Sequence, residues 1–97
     1  MKVSVDVAGF SKLSRIIGVE QMEFPFSGEN INDLITELIA AFGKEAKKAF
    51  HDDEQDIFNP MIQVILNEKE WIPVYRYTDT VLKEGDTLSF VVLLAGG

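Results

Sequence analysis

Cysteine is missing from this chain of 97 residues, and histidine occurs once, at His51. Without thiols the chain can form no disulfide, no thiolate zinc site and no cysteine nucleophile. One histidine cannot build a multi-histidine metal site within a single copy. The sequence therefore has few of the residues on which metal or nucleophilic chemistry usually depends.

Long hydrophobic runs are also missing, since no apolar stretch approaches the ~18 residues of a membrane-spanning helix. The N-terminal residues Met1 to Val7 carry one early cation, and Ser4 and Asp6 interrupt their apolar residues. That pattern is not typical of a signal peptide. We expect a cytoplasmic protein that has no membrane partner.

Basic residues are scarce: 9 stand against 16 acidic residues, which gives a net charge of −7. The resulting field opposes binding to nucleic acid or anionic membranes and suits a basic protein partner. Apolar residues make up 46% of the chain, an ordinary globular fraction. This composition supports one hydrophobic core in a single domain over residues 1–97.

Alternating apolar and polar residues predict several strands. Val3, Val5 and Val7 alternate with polar neighbours, which is typical of a half-buried strand. Because Pro25 and Pro73 have no N–H to donate, we expect the strands that contain them to be short or to lie at sheet edges. Further strands are predicted at residues 20–26, 61–66, 71–77 and 87–94, with turns at 67–70 and 82–86.

One amphipathic helix is predicted over residues 30–42, where apolar residues repeat at the helical period. Asn30 or Asn32 can cap its start, and Gly43 suits the position after its end. A weaker helical stretch is predicted at 44–50, and residues 10–17 are predicted to form either a helical turn or a loop. Two strands, a main helix and then two or three strands indicate an α+β fold, in which the helix covers one sheet face and leaves the other open.

No conventional active site is visible. The acidic run at residues 52–56 has isoleucine where a calcium-binding EF-hand loop needs its glycine, so it is interpreted as a solvated loop. His51 is interpreted as a surface histidine after a helix. Because negative charge disfavours stacking on nucleic acid, Trp71, Tyr75 and Tyr77 are interpreted as packing on a strand face. Phosphate-binding glycine motifs are missing.

The end of the sequence is distinctive, because an apolar strand runs directly into Ala95-Gly96-Gly97. Glycine has no Cβ, so such a segment can enter a channel too narrow for other residues. Three extended residues reach about 10 Å, enough to insert a carboxylate into another protein's active site. A frayed end or a cloning remnant is the alternative interpretation. We expect residues 94–97 to form a flexible C-terminal tail.

Together these features resemble the MoaD/ThiS family of ubiquitin-like sulfur carriers, small β-grasp proteins that end in Gly-Gly. The resemblance covers nearly the whole chain and is most specific at residues 82–90, Leu-Lys-Glu-Gly-Asp-Thr-Leu-Ser-Phe, and at Gly96-Gly97. Within the family, the chain is most similar to the small subunit of molybdopterin synthase. The resemblance implies a β-grasp fold, with a mixed sheet of four to five strands and one main helix packed on one face.

The resemblance also implies a function. In such carriers the terminal carboxylate, here on Gly97 next to Gly96, is adenylated with ATP by a ubiquitin-activating-enzyme-like adenylyltransferase and then converted to a thiocarboxylate. The chain would be a non-catalytic carrier without a bound cofactor. It would receive sulfur with the help of a sulfur-donating enzyme and deliver it inside the large subunit of molybdopterin synthase.

Alternatives remain open within and outside the family. A related carrier could supply sulfur for thiazole or tRNA, and a ubiquitin-like modifier could be joined to lysines through Gly97. A β-grasp scaffold with an incidental tail would belong to a different functional class. Deleting Gly97 separates the last alternative from the others, because a scaffold would lose nothing.

A carrier needs a docking surface, and the strand alternation predicts one. If Phe90 faces the core, then Val91 and Leu93 lie on the open sheet face. The preceding long strand alternates in the same way, and together the two strands would form an apolar patch beside the tail. An error of one residue in the phase would turn every side chain to the other face. The predicted partner-contacting residues are Met61, Ile65, Val91, Leu93, Leu94 and Ala95.

Overall fold

The computed structural model describes residues 1–52 and 57–93 and contains a five-stranded sheet that is covered by helices on one face. In chain order the elements are β1 (Lys2–Asp6), α1 (Ser11–Ile17), β2 (Gln21–Pro25), α2 (Ile31–Phe42), α3 (Lys44–Phe50), β3 (His51–Asp52), β4 (Ile57–Phe58), β5 (Ile62–Leu66), β6 (Glu70–Ile72), a 3₁₀ turn (Val74–Arg76) and β7 (Thr87–Val92). The strand order in the sheet is β2-β1-β7-β5-β6. Strands β1 and β7 are parallel, and the other neighbours are antiparallel. This mixed sheet confirms the predicted α+β fold class.

The core lies between the sheet and the three helices. Val5 of β1 and Phe90 of β7 are fully buried, as their alternation predicts. The ring of Phe50, at the end of α3, packs edge-to-face on Phe90 at 5.3 Å and on Phe10 at 5.8 Å. The fully buried helix side chains include Leu13, Ile31, Leu34, Leu38, Ala46 and Phe50. These contacts join all three helices to one face of the sheet.

Helix α2 begins and ends where its local signals predict. The side-chain oxygen of Asn30 accepts a hydrogen bond from the Asp33 N–H at 2.8 Å, and Asp33 accepts one from the Asn30 N–H at 3.3 Å. This reciprocal capping box satisfies two N–H groups that the helix cannot pair internally. After Phe42 the chain turns at Gly43, whose φ of +83° favours glycine.

The segment predicted as one strand over residues 71–77 is different in the structure. The strand β6 ends at Ile72, and after Pro73 the chain forms a 3₁₀ turn, because proline cannot donate a ladder hydrogen bond. Trp71 lies on the strand β6 as predicted, although its side chain is 55% exposed, whereas the packing predicted for Tyr75 is wrong because Tyr75 lies outside the strands and is 79% exposed. Tyr77 is buried, with 4% of its surface accessible. The edge positions expected from Pro25 and Pro73 are confirmed.

The segment around the acidic run also contains more structure than predicted. Strands β3 and β4 pair as a two-residue antiparallel ladder, a length that leaves no readable alternation in the sequence. Residues 53–56, most of the predicted loop, lie outside the described residues. His51 directly follows α3 as expected, but it is partly buried and not a surface residue.

The last strand ends at Val92, two residues before the predicted end. Leu93 is described as a non-strand residue, and Leu94 lies outside the described residues. Across residues 1–52 and 57–93, no helix combines the length and the apolar character needed to cross a bilayer.

Candidate functional site

The two faces of the sheet differ sharply at β7. Leu88 and Phe90 are fully buried under the helices, so Ser89, which lies between them, and Val91, which follows Phe90, face the other way. The predicted phase of this strand is therefore correct. We call this uncovered side of the sheet the open face.

Apolar side chains cluster on the open face around the end of β7. The Leu93 N–H donates to the Met61 carbonyl at 2.8 Å, which brings these two exposed residues together. Val91 pairs with Gln63, and Ile65 of the same strand pairs with Ser89. The four predicted patch residues thus share the open face, although Ile65 and Val91 are only partly exposed and the polar Gln63 lies among them.

Trp71 extends this cluster and was missed by the sequence reasoning. It is the register partner of Ile65 on the edge strand β6. The signal was available, because Ile72 faces the core and its neighbour must face the open side. We define the open-face patch as Met61, Ile65, Trp71, Val91 and Leu93.

The other half of the open face is polar and partly acidic. Asp6 pairs with Gln21 on one side and with Ser89 on the other, and Ser89 in turn lies in register with Ile65 and Trp71. These paired residues form one row of side chains that crosses the sheet from β2 to the edge strand β6. Glu23 lies beside this row and is 3.8 Å from the Lys2 ammonium, a solvent-exposed pair that contributes little to stability. An approaching molecule would meet apolar surface next to β6 and carboxylates next to β2.

The chain is held on both sides where β7 ends. The Val92 N–H donates to the Gly9 carbonyl at 2.9 Å, while Leu93 bonds to Met61 on the opposite side. These two hydrogen bonds anchor the backbone immediately before residues 94–97. The predicted site residues Gly96 and Gly97, together with Leu94 and Ala95, lie outside the described residues.

The Gly85-Asp86 pair, which carries part of the family resemblance, has a structural role here. Asp86 accepts hydrogen bonds from the Lys83 N–H at 2.8 Å and from the Asn67 side chain at 3.1 Å. Gly85 has a φ of +84° and donates its N–H to the Lys2 carbonyl at 2.9 Å. The turn therefore ties the start of β7 to β1 and to the end of β5, which fixes the register of the strand that leads to the tail.

Metal chemistry finds no support in the described part of the chain. Within residues 1–52 and 57–93, no group of three or more His, Cys, Asp or Glu side chains could hold a metal ion. What the described geometry offers is an exposed apolar patch on the open face and a backbone that is anchored at Val92 and Leu93.

Comparisons with known proteins agree with this geometry. A family model described as the ThiS family matches residues 10–97, which confirms the resemblance noted in the sequence. The search of curated proteins gave no significant match.

Three solved structures are similar over nearly the full chain. Small archaeal modifier protein 1 from Methanosarcina acetivorans has a TM-score of 0.74 and 23% identity, covering 99% of this chain and 96% of that one. Urm1 from Trypanosoma brucei has a TM-score of 0.71 and 27% identity, covering 99% and 95%. A Pyrococcus furiosus protein assigned as molybdopterin converting factor, subunit 1, has a TM-score of 0.63 and 21% identity, covering 97% and 99%. The archaeal likenesses, at this identity, show the fold alone.

Proposed function

The chain belongs to the ThiS family of small ubiquitin-like sulfur carriers, and we propose that it carries sulfur on Gly97 as the small subunit of molybdopterin synthase. The observation that supports the proposal is the geometry at the end of β7. The backbones of Val92 and Leu93 are anchored beside the exposed open-face patch, and residues 94–97 continue from this point. A partner that docks on the patch would be within reach of Gly97, since four extended residues span about 13 Å.

The chemistry explains why the terminal carboxylate must be activated. A carboxylate is an anion at neutral pH and a poor electrophile. An adenylyltransferase joins one of its oxygens to the α-phosphate of ATP with loss of pyrophosphate, which gives an acyl-adenylate with a good leaving group. Sulfur at the sulfide level then attacks the carbonyl carbon, AMP leaves, and the product is a thiocarboxylate. In the synthase this thiocarboxylate donates sulfur to the dithiolene precursor.

In this proposal the chain is a substrate and a sulfur donor, and its partners supply the catalytic groups. The adenylyltransferase binds the ATP, so the carrier itself needs no bound cofactor. A sulfur-donating enzyme supplies the sulfur, and the large subunit of the synthase receives the tail. Gly96 and Gly97 would pass through the narrow part of each active site, because glycine lacks a Cβ.

The open-face patch is the proposed docking surface for these partners. Exposed apolar clusters on small domains usually mark contacts with other proteins. Leu94 and Ala95, which follow the anchored Leu93, would be the first residues to enter the partner. Carboxylates on the β1–β2 side of the face would speed association with a basic partner more than they would raise affinity.

Intact-mass spectrometry tests the proposal directly. The chain is incubated with its adenylyltransferase, ATP and a sulfur source, and we expect the mass gain of one oxygen-to-sulfur exchange at Gly97. A variant lacking Gly97 and a variant with one added C-terminal residue serve as controls that should fold normally and gain no sulfur. An unchanged mass in the unmodified chain would contradict the carrier role.

A second candidate is a protein modifier joined to lysines through Gly97, and one solved structure of the same fold carries the name of a small archaeal modifier protein. Peptide mapping of cell proteins distinguishes the two, because a modifier leaves Gly97 linked to lysine side chains. Complementation separates the sulfur pathways: we expect rescue of molybdenum-enzyme activity, whereas rescue of thiamine or tRNA thiolation alone would favour the related carriers.

A further inference from the structure

Helices α1 and α3 form a basic surface on an acidic protein. Five of the nine basic residues and one acidic residue lie on these two helices, so the remaining chain carries four basic and fifteen acidic residues. The helices pack together through the edge-to-face contact of Phe10, just before α1, with Phe50 of α3. The basic residues are Lys12, Arg15, Lys44, Lys47 and Lys48.

A cavity of about 260 Å³ opens in this surface, and we call it the lysine pocket. Its lining includes the buried side chains of Phe10 and Ala49 and the exposed lysines Lys12 and Lys48. The volume lies just below the usual range of small-molecule sites, so it suits one or two side chains better than a cofactor. Polar lining comes from Ser11 and Asn59, and Val92 completes the apolar part.

Among the described residues, the two lysines have one carboxylate partner between them. Within residues 1–52 and 57–93, Lys48 forms an ion pair with Glu45 at 3.9 Å, in which both side chains are largely exposed. Such a pair contributes little and is readily exchanged for another partner. For Lys12, no described carboxylate lies within ion-pair distance. The pocket thus presents two ammonium groups above an apolar lining.

The lysine pocket and the open-face patch flank the same two backbone hydrogen bonds. Val92 lines the pocket, while its neighbours Val91 and Leu93 belong to the patch, because successive side chains of a strand point to opposite sides. A protein that takes in residues 94–97 would therefore touch both surfaces. The two lysines distinguish this pocket from the larger apolar cavity beside β6, whose described lining includes no charged residue.

We propose that the lysine pocket binds a carboxylate side chain from an acidic segment of the protein that receives the tail, a step that rests on the proposed function. A partner suited to a carrier of charge −7 is basic over most of its contact surface. One acidic segment facing Lys12 and Lys48 would then match in a single orientation, and any other orientation would set like charges together. The pocket fixes the direction from which the tail enters, more than it adds affinity.

A peptide titration followed by NMR tests the pocket in the intact chain. The probe is acetyl-Ala-Glu-Leu-Gly-amide, and its control is the same peptide with glutamine in place of glutamate. We expect saturable amide shifts at Gly9, Ser11 and Asn59 with the glutamate peptide, and loss of these shifts at high salt. Equal shifts with the glutamine peptide would overturn the proposal.

Matched lysine variants test which charges are responsible. The double variant Lys12→Gln/Lys48→Gln should bind the glutamate peptide about fivefold more weakly, which is the effect expected from the loss of two exposed ion pairs. The control variant Lys44→Gln/Lys47→Gln also removes two positive charges, but at positions on α3 that do not line the pocket. It should leave the affinity for the glutamate peptide nearly unchanged. Equal weakening by both variants would show a diffuse charge effect and overturn the proposal.

Two other occupants would also overturn it. Inorganic phosphate at matched ionic strength should give weaker shifts than the peptide, and stronger shifts would indicate a phosphate site. Neutralising residues 53, 54 and 56 to amides should leave the signals of the lining residues in place, and movement of those signals would indicate that the chain's own acidic segment fills the pocket. Neither result bears on sulfur loading at Gly97, so failure here is distinguishable from failure of the proposed function.

Discussion

A Cβ on Gly9 would lie 3.2 Å from both methyl carbons of Val91, closer than side chains usually approach. The same glycine accepts the hydrogen bond from Val92 through its carbonyl oxygen. Gly9 therefore supports two successive residues of β7, one on each side of the sheet. Its small size sets where the open-face patch lies relative to β1.

Replacing Gly9 by alanine should displace Val91 without unfolding the protein. The crowding lowers the free energy of unfolding by about 1 kcal/mol or more. Because alanine restricts the backbone of the unfolded chain, the same change raises it by ~0.4–1 kcal/mol. We expect the free energy of unfolding to change by less than about 1 kcal/mol, but the methyl NMR signals of Val91 to move clearly. Urea denaturation and methyl spectra check both parts, and an unmoved Val91 signal would contradict the close approach.

A negative charge in the open-face patch should block the partner. Leu93→Asp puts a carboxylate at the centre of the proposed contact, and we expect association with the adenylyltransferase to weaken at least about tenfold. Val19→Asp is a matched control, since Val19 is 47% exposed and Leu93 is 49% exposed. Calorimetry should find both variants folded, with stability changed by about 0.5 kcal/mol or less. Similar affinities of the two variants would argue against this docking surface.

Glu68→Gly should stabilise the protein. The turn after β5 is closed by the Lys69 N–H donating to the Leu66 carbonyl at 3.1 Å, and its two central residues, Asn67 and Glu68, have φ of +52° and +63°. Both signs are those of a type I′ turn, for which Asn-Gly is favoured. Relief of strain at residue 68 should outweigh the added freedom of the unfolded chain by about 0.5–1 kcal/mol.

The neighbouring position supplies the control for that turn. Lys69 is also exposed but does not have a positive φ, so Lys69→Gly should destabilise the protein by a similar amount. Thermal unfolding of the two variants would then shift in opposite directions. A shift of both in the same direction would contradict the assigned turn geometry.

Alkaline pH should destabilise the protein through Tyr77. Burial raises the pKa of Tyr77 from 10.0 to about 12. Between these values the unfolded chain releases the phenolic proton and the folded chain keeps it, so stability falls as the pH rises from 10 to 12. Over this range the free energy of unfolding should fall by on the order of 2 kcal/mol.

Phenylalanine variants isolate this contribution. Tyr77→Phe should remove part of the alkaline decline in the free energy of unfolding, whereas Tyr75→Phe should leave it, because Tyr75 is largely exposed. Urea denaturation at a series of pH values checks the prediction. An unchanged slope in Tyr77→Phe would assign the decline to other groups.

Local signals in the sequence were sufficient to predict helix α2 and to predict which side chains of the long strands face the core. The apolar period and Asn30 define the helix, and the alternation around Phe90 is decided by neighbouring residues alone. For the sheet as a whole, only a mixed sheet of the β-grasp type was expected, and that through the family resemblance; the order of its strands was not predicted. Pairing of Ser4 with Thr87 joins distant parts of the chain, and no local pattern encodes it.

The site was predicted in part for the same reason. Val91 and Leu93 follow from one alternation, whereas Trp71 lies on a three-residue edge strand that proline cuts short. The lysine pocket was not predictable, because its two lysines come from different helices and meet only through the Phe10–Phe50 contact. Strand alternation was enough to predict residues of the patch, whereas the packing of α1 against α3 that forms the pocket has no such local signal.

The central position of β7 has a mechanical consequence. The strand pairs with β1 over residues 87–89 on one side and with β5 over residues 88–92 on the other. A pull on the chain beyond Leu93, directed along the strand, loads both ladders in shear, so that many hydrogen bonds share the force instead of opening one after another. In the proposed function, an enzyme that binds the end of the chain would extend it into its active site without separating β7 from its neighbouring strands.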